Sequence, residues 1–193
     1  MTETPLTTKT ILAAAEDVLR RYGPAKATVV DVARALGVSH GSVYRHFASK
    51  AALRDAILRD WLQRLVAPLV SIAESDAPAP ERLRTWLATL RDIKRTKVDG
   101  EPELFTTYAA LAAEAREVID GHVAELLAQL RRILSDGMRE DAFADLDPTA
   151  SALAVFDATA RFHHPAMAYL WQRPGEDAAF EAVIDTLLRG LRH

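Results

Sequence analysis

Residues 28–50 constrain the fold of this chain more than any other stretch, and they read TVVDVARALGVSHGSVYRHFASK. Apolar residues recur at helical spacing on both sides of Gly37. Thr28 and Asp31 have the spacing of an N-terminal capping box, with Asp in place of Glu. Gly37 follows Leu36, where the end of a helix favours a residue with positive φ. The stretch therefore predicts two short helices joined by a tight turn.

The second short helix is predicted to begin after Ser39, which is the expected N-cap. Val38 and Val43 have the spacing of a hydrophobic staple around that cap. Val43 and Phe47 share the inner face of the helix, which faces the core. The residues left on its outer face are His40, Gly41, Tyr44 and Arg45.

This outer face carries residues that weaken a purely structural helix. Gly41 costs about 1 kcal/mol relative to alanine in a helix interior. Lys50 lies in the first turn of a further helix, where a cation opposes the helix dipole at a cost of about 0.3–1 kcal/mol. A phosphodiester backbone against this face explains both residues, because glycine permits close approach and lysine meets an anion at a helix N-terminus. We therefore predict a helix-turn-helix whose second helix enters the major groove of DNA.

The predicted DNA contacts combine hydroxyl groups, basic side chains and the glycine. They are Thr28, Ser39, His40, Gly41, Ser42, Tyr44, Arg45, His46 and Lys50. The presence of these residues on the outer face argues against the main alternative, an α-helical ligand-binding or scaffold protein that has lost DNA binding. The run Gly37–Gly41 also matches the G-x-S-x-G pattern of hydrolases, but that pattern needs a preceding strand and here follows a helical segment. No enzyme is predicted.

The run GVSHGSVYRHFASKAAL, preceded by TVVDVARAL and an amphipathic N-terminal helix, resembles the tetracycline-repressor (TetR) family of bacterial transcriptional regulators. The matching positions are Thr28, Ala33, Gly37, Val38, Ser39, Tyr44, His46, Phe47, Lys50 and Leu53. Beyond this run, the chain matches the family only in length, helical character and order of parts. The resemblance implies a homodimeric repressor that binds a palindromic double-stranded operator and is released by a small-molecule effector.

Charge is distributed unevenly along the 193 residues, whose net charge is −3. Residues 1–60 hold nine Lys and Arg against six Asp and Glu, a net of +3, and the remainder holds 15 against 21, a net of −6. A basic N-terminal part facing an anion and an acidic body facing solvent fit this asymmetry, although chance segregation in a soluble protein is an equal alternative.

Composition fits a protein of a reducing compartment and argues against a membrane segment. The sequence has no cysteine, which excludes disulfides and thiolate metal sites. No apolar run approaches the roughly 20 residues that span a bilayer. The first residues, MTETPLTTK, lack the basic start and apolar core of a signal peptide. The sequence therefore predicts a cytoplasmic protein without a membrane segment.

Helical periodicity, together with the signals for helix starts and ends, predicts an all-α fold of about nine helices. A three-helix head at residues 1–52 precedes an effector-binding and dimerisation body at 53–193. The first helix covers 8–22 and is stopped by Gly23 and Pro24, and the fourth, over 49–74, couples head to body. The body continues with helices at 80–94, 102–113 and 116–138, with a polar loop at 94–102. An eighth helix from 148 breaks near 163–165, and a ninth reaches the C-terminus.

The family resemblance implies an effector pocket in the body, and its candidate lining is a set of aromatic residues at helical spacing with a few histidines among them. The candidate residues are Trp86, Phe105, Tyr108, His122, Phe156 and His163. Plain core packing of the aromatic side chains, and hydrogen-bonded core histidines, remain the alternatives. His122, His163 and His164 match no metal-ligand spacing, so no metal and no cofactor is predicted.

The last two helices carry more apolar residues than one buried face needs. One contains alanines at 150, 152, 154, 158 and 160. On the other, the residues predicted to form a dimer interface are Phe180, Val183, Ile184 and Leu187. The family resemblance implies that these helices pair with their copies in a four-helix interface.

Overall fold

The computed structural model describes residues 6–26 and 28–192, which form ten α-helices and one 3-10 helix and contain no strand. This confirms the all-α prediction. The α-helices are α1 (Thr8–Lys26), α2 (Val29–Ala35), α3 (His40–Tyr44), α4 (Lys50–Ala73), α5 (Ala79–Gly100), α6 (Pro102–Glu114), α7 (Arg116–Arg139), α8 (Pro148–Ala158), α9 (Ala160–His163) and α10 (Glu176–Gly190), and the 3-10 helix spans Pro165–Leu170. None of these helices is both long and apolar enough to cross a membrane. The residues examined for a signal peptide include 1–5, which lie outside the described residues.

The chain forms two compact units. The first contains Met1–Arg64 and Glu101–Asp120, and the second contains Leu65–Gly100 and Gly121–His193. Helices α4 and α7 therefore contribute residues to both units. The functional boundary predicted between residues 52 and 53 stays a prediction.

In the first unit, α1 packs against α2 and α6, and α2 packs against α3. The inner face of α1 follows the predicted spacing, with Ile11, Ala15, Val18 and Leu19 all buried. Regular helical geometry in α1 is interrupted at Gly23, whose φ of 71° lies in the left-handed region. The sequence thus placed an interruption correctly at Gly23, but the predicted end of the helix at residue 22 is wrong, because α1 continues to Lys26 beyond the kink.

In the second unit, polar contacts fix the register of α5 and α7. The guanidinium of the buried Arg82 donates to Asp136 Oδ2 at 2.8 Å, and Trp86 Nε1 donates to Gln129 Oε1 at 2.9 Å. As the residue number rises along α5, that of its partner falls along α7, so the two helices run antiparallel. Arg82 also donates to the Ala73 carbonyl at 3.0 Å, which ties the end of α4 to the same pair.

The predicted polar loop over 94–102 is wrong, because α5 continues to Gly100. Composition suggested a loop, but the buried stripe of α5 runs on through this segment. Lys94 is buried, and Lys97 and Val98 are half-buried at the next positions of the same face. Tertiary packing of that face outweighs the local polarity.

The predicted eighth helix is divided into α8, α9 and the 3-10 helix. The unexpected break lies at Thr159, whose hydroxyl donates to the carbonyls of Val155 and Phe156 at 2.9 and 3.1 Å. Side-chain bonds of this kind compete with the helical backbone pattern. The predicted break before Pro165 is confirmed, since His164 has φ −77° and ψ 125°, the extended geometry preferred before proline.

Candidate functional site

The helix-turn-helix is built from local capping contacts that the sequence predicted. The Asp31 backbone N–H donates to the Thr28 hydroxyl oxygen at 3.2 Å, and the Thr28 N–H donates to Asp31 Oδ2 at 3.1 Å. This capping box starts α2. The hydrogen bond from the Thr28 hydroxyl to the same carboxylate lowers the pKa of Asp31.

Gly37 forms the turn between α2 and α3, with a φ of 66°. Its N–H donates to the Arg34 carbonyl at 3.2 Å, and the Val38 N–H donates to the Ala33 carbonyl at 3.0 Å. These two bonds constitute a Schellman motif, which requires the left-handed backbone that glycine adopts at low cost. The predicted glycine turn is confirmed.

Helix α3 begins at the predicted cap, where the Ser42 N–H donates to Ser39 Oγ at 3.2 Å. Val43 and Phe47 are buried beneath it, as the spacing indicated. Since Ser39 caps a helix and follows α2 rather than a strand, it is not placed as a hydrolase nucleophile.

The outer face of α3 is open to solvent. His40, Gly41, Tyr44, Arg45 and His46 are exposed, as are Thr28, Ser39 and Lys50, and Ser42 is half-buried. The Arg45 guanidinium donates to Ser42 Oγ at 3.0 Å, which holds this cation along the helix. The rings of His40 and Tyr44 meet edge to face, with centroids 6.4 Å apart.

Gly41 is not required by the fold of the protomer. A Cβ added to it meets only Ser39 Oγ, at 3.8 Å, an ordinary van der Waals contact. Its φ is not in the left-handed region. Neither backbone geometry nor internal packing therefore explains a glycine at this exposed helical position.

Lys50 starts α4, next to the cap formed by Ser49, whose Oγ accepts from the Ala52 N–H at 3.0 Å. Lys50 forms no ion pair with the described residues. An exposed, unpaired ammonium at the N-terminus of a 24-residue helix is thus available to an external anion.

The predicted pocket residues fall into both units. Phe105 and Tyr108 lie on α6 in the first unit, and Tyr108 stacks on Trp61. Burial raises the pKa of the Tyr108 hydroxyl, which has no hydrogen-bond partner among the described residues. The other four candidates, Trp86, His122, Phe156 and His163, lie in the second unit.

Among those four, the structure brings Phe156 and His163 together, with ring centroids 4.6 Å apart. His163 Nε2 lies 3.2 Å from the Phe156 carbonyl oxygen, so this nitrogen carries the proton and donates. Burial lowers the pKa of His163 to about 4, and that of His122 likewise to about 4. Both imidazoles are therefore neutral at pH 7.

Sequence reasoning missed Lys94, a buried amine that acts electrostatically on both His122 and His163. Burial lowers the pKa of Lys94 to about 8. The signal was present, because Lys94 continues the spacing of Leu83, Leu87 and Leu90 along the inner face of α5. The polar residues that follow it predict a loop instead.

A metal site is not supported by the part of the chain that the structure describes, where no three His, Cys, Asp or Glu residues come together. His164, the third histidine of the metal alternative, caps the 3-10 helix instead. Its Nδ1 accepts from the Ala166 N–H at 3.2 Å.

The four predicted dimer residues differ in exposure. Phe180 and Ile184 are buried inside the protomer, where Phe180 meets Phe162 edge to face at 5.2 Å. Val183 and Leu187 are half-buried and remain accessible. Of the four residues, only these two on α10 are accessible to a partner. Helix α8 carries a further exposed apolar face, formed by Ala150, Leu153, Ala154 and Ala158.

Both parts of the chain match models of one protein family. Residues 11–57 match the bacterial regulatory proteins of the tetR family, and residues 79–184 match the tetracyclin repressor-like C-terminal domain. The chain is 31% identical over 171 residues to the HTH-type transcriptional repressor Rv3405c of Mycobacterium tuberculosis, which covers 80% of this chain and 88% of that protein. It is 33% identical over 109 residues to the HTH-type transcriptional repressor Rv1474c of the same organism, covering 54% of this chain and 57% of that protein.

Solved structures share the fold. The transcriptional regulator FadR from Bacillus subtilis, in complex with stearoyl-CoA, aligns with a TM-score of 0.66 at 18% identity, covering 96% of this chain and 100% of FadR. BioQ with its double-stranded DNA operator aligns with a TM-score of 0.55 at 23% identity, covering 96% and 99%. The matched family models and the relatives establish that this chain belongs to the TetR family of bacterial transcriptional regulators.

Proposed function

We propose that this protein is a ligand-responsive transcriptional repressor that binds a palindromic operator as a homodimer. DNA binding is carried by the helix-turn-helix, and release follows from a small molecule bound in the second unit. The observation that carries the proposal is the outer face of α3, where an exposed glycine without a structural reason lies near the exposed cations Arg45 and Lys50, neither of which has an ion pair with the described residues.

The residues of this face divide into two chemical roles. Lys50 and the Tyr44 hydroxyl suit phosphate contacts, which position the protein but read no sequence. His40 and Arg45, on the exposed side of α3, are placed for base edges in the major groove. Thr28 is a weaker candidate than the sequence suggested, because its hydroxyl proton is donated to Asp31.

Dimerisation is supported by the apolar side chains on α8 that the protomer leaves uncovered. Leu153 is 50% exposed and lies among exposed alanines on a helix whose single charged residue is Asp157. Small residues let a partner helix approach closely. A two-fold dimer presents two copies of α3 at the spacing of successive major grooves, about 34–36 Å, which calls for a palindromic operator.

Release by an effector requires that the ligand prefer the conformation that does not bind DNA. The coupling between the two ligands is then reciprocal and is typically about 1–3 kcal/mol. Helix α4 belongs to both units and begins at Lys50, so a shift of α4 moves a DNA-contacting residue directly.

Selection of bound sequences from a random DNA pool tests the proposal. The expected product is an enriched site of two inverted half-sites. Recovery of no enriched sequence by a folded protein contradicts it, and supports the alternative of a helical ligand-binding protein without DNA binding.

A further inference from the structure

Lys94 is a buried cation without an internal partner. Its relative exposure is 6%, and it forms no hydrogen bond or ion pair with the described residues. Burial is the only cause that moves its pKa, so no neighbouring carboxylate compensates the charge. Because the pKa of about 8 lies above neutrality, the amine is mostly protonated at pH 7. An uncompensated buried charge is costly and requires an explanation.

The helix register places Lys94 beside His122. Arg82 pairs with Asp136 and Trp86 with Gln129 along the antiparallel helices α5 and α7. Continuing this register by about two turns from the second pair brings Lys94 level with His122. The electrostatic effect of Lys94 on His122 agrees with that placement.

Helix α9 adds a third basic group from another direction. It packs against α5 and carries the buried His163, on which Lys94 also acts electrostatically. His163 directs Nε2 to the Phe156 carbonyl, and the Phe156 ring lies against its imidazole. Three basic side chains therefore lie in one region of the second unit, and the Phe156 ring lies against one of them.

The acidic residues Asp92 and Asp99 on α5 and Glu176 and Asp177 on α10 accept hydrogen bonds from other side chains. Asp92 accepts from Arg91, Asp99 from Gln172, Asp177 from Arg95, and Glu176 from Arg161. No carboxylate of the described residues contributes to the pKa shift of Lys94, so the cation has no internal counter-ion and is available to an external group.

We propose that Lys94 binds the carboxylate of an organic acid effector, with His122 donating a second hydrogen bond and Phe156 contacting the apolar part of the molecule. This proposal rests on the proposed function, since it names the chemical class of the effector. A singly charged carboxylate matches the single ammonium, and charge-assisted hydrogen bonds are the strong ones in a buried site. A doubly charged phosphate is a poorer match, because Lys94 supplies only one formal positive charge at this site.

The test uses the full-length protein and three matched pairs of probes. These are phenylacetate and phenylacetamide, 3-phenylpropionate and 3-phenylpropionamide, and octanoate and octanamide. The amide keeps the shape and removes the charge. At least one acid is expected to raise the Tm of the wild type with increasing concentration, while its amide does not.

Lys94→Met keeps an unbranched side chain and removes the ammonium. The expected loss of affinity for the active acid is at least about tenfold, the effect of losing a charge-assisted bond. Arg131→Met, which removes an exposed cation on α7, should keep the wild-type affinity. Without any probe, Lys94→Met should raise the Tm by a few degrees, because it removes the uncompensated charge.

Three results overturn the proposal: no acid stabilises the wild type more than its amide, the preference for acids survives in Lys94→Met, or that variant has a lower Tm without ligand. The last result indicates an internal partner for Lys94.

DNA selection with the ligand-free wild type and with Lys94→Met distinguishes failure of the carboxylate site from failure of the proposed DNA-binding function. Intact DNA binding with no acid preference rejects the carboxylate site alone, and failure to enrich any DNA rejects the proposed function.

Discussion

Trp61 and Tyr108 stack face to face in the first unit, with ring centroids 4.1 Å apart and ring planes 8° apart. Tyr108 is 1% exposed, and its hydroxyl has no hydrogen-bond partner among the described residues. The stacking holds α6 to α4, and the hydroxyl adds a desolvation cost without a compensating bond.

Replacing Tyr108 by phenylalanine should therefore leave the free energy of unfolding unchanged or raise it by about 1 kcal/mol. Tyr108→Ala should lower it by about 3–5 kcal/mol, because the stacked ring is lost. Urea denaturation of both variants checks this. A loss of more than about 1 kcal/mol in Tyr108→Phe means that the hydroxyl has a partner, for which the typical net value is of that size.

Gly41→Ala should separate stability from DNA binding. The added methyl group meets only Ser39 Oγ, at the ordinary van der Waals distance of 3.8 Å, so helix propensity should raise the free energy of unfolding by about 0.5–1 kcal/mol. If the glycine admits the DNA backbone, the same variant should bind operator more weakly. Chemical denaturation and fluorescence anisotropy measure the two effects.

Gly121→Ala is the matched control, since Gly121 is also exposed and helical, and a Cβ added to it has no neighbour within 4 Å. It should gain similar stability and keep the affinity for operator. Equal operator affinities in both variants mean that Gly41 has no role in DNA approach.

Acid should destabilise the second unit before its carboxylates are protonated. His122 and His163 have folded pKa values of about 4, below the unfolded value near 6.5, so the unfolded state binds more protons between these limits. The free energy of unfolding is therefore highest above about pH 6.5 and falls as the pH drops toward 4. Lys94 opposes protonation of both histidines, and His164 opposes that of His163.

Urea denaturation at pH 7, 6 and 5 measures this decline, which should be on the order of 1–2 kcal/mol per histidine by pH 5. His163→Gln should show a shallower decline, and His40→Gln, at an exposed position on α3, should behave as the wild type. A stability that does not change between pH 7 and 5 rules out the burial of neutral histidines.

The wild type should be a dimer of twice the 21.2 kDa chain mass in light scattering at micromolar concentration. Leu153→Asp places a charge on the exposed apolar face of α8 and should yield the monomer mass. Val70→Asp, at an exposed position on α4, should remain dimeric. A wild type that is strictly monomeric at this concentration removes the basis for a palindromic operator.

The helix-turn-helix could be predicted because its determinants are local. The capping box of Thr28 and Asp31, the Schellman turn at Gly37 and the cap at Ser39 each depend on residues within five positions of one another. Exposure of the outer face of α3 then follows from the burial of Val43 and Phe47 on the inner face.

The second unit was harder to predict, since its features depend on packing between distant segments. The polar residues that follow Lys94 predict a loop, although the structure continues α5 through them. The break at Thr159 is not marked by a glycine or a proline in the sequence, because the nearest one is Pro165. Periodicity alone marked Phe180 and Ile184 as apolar, but it did not distinguish the protomer core from a dimer surface.

We propose that the outer face of α3, together with Lys50 at the start of α4, binds DNA, and that Lys50 contacts its phosphates. Fluorescence anisotropy of one selected operator, titrated with wild type, Lys50→Ala and Arg131→Ala across a range of salt concentrations, tests it directly. We expect Lys50→Ala to bind every tested DNA sequence more weakly and its salt slope to fall by about one per subunit, while the affinity and salt slope of Arg131→Ala stay at the wild-type values. A Lys50→Ala variant with the wild-type affinity and salt slope, or one that changes sequence preference at an unchanged slope, would contradict it.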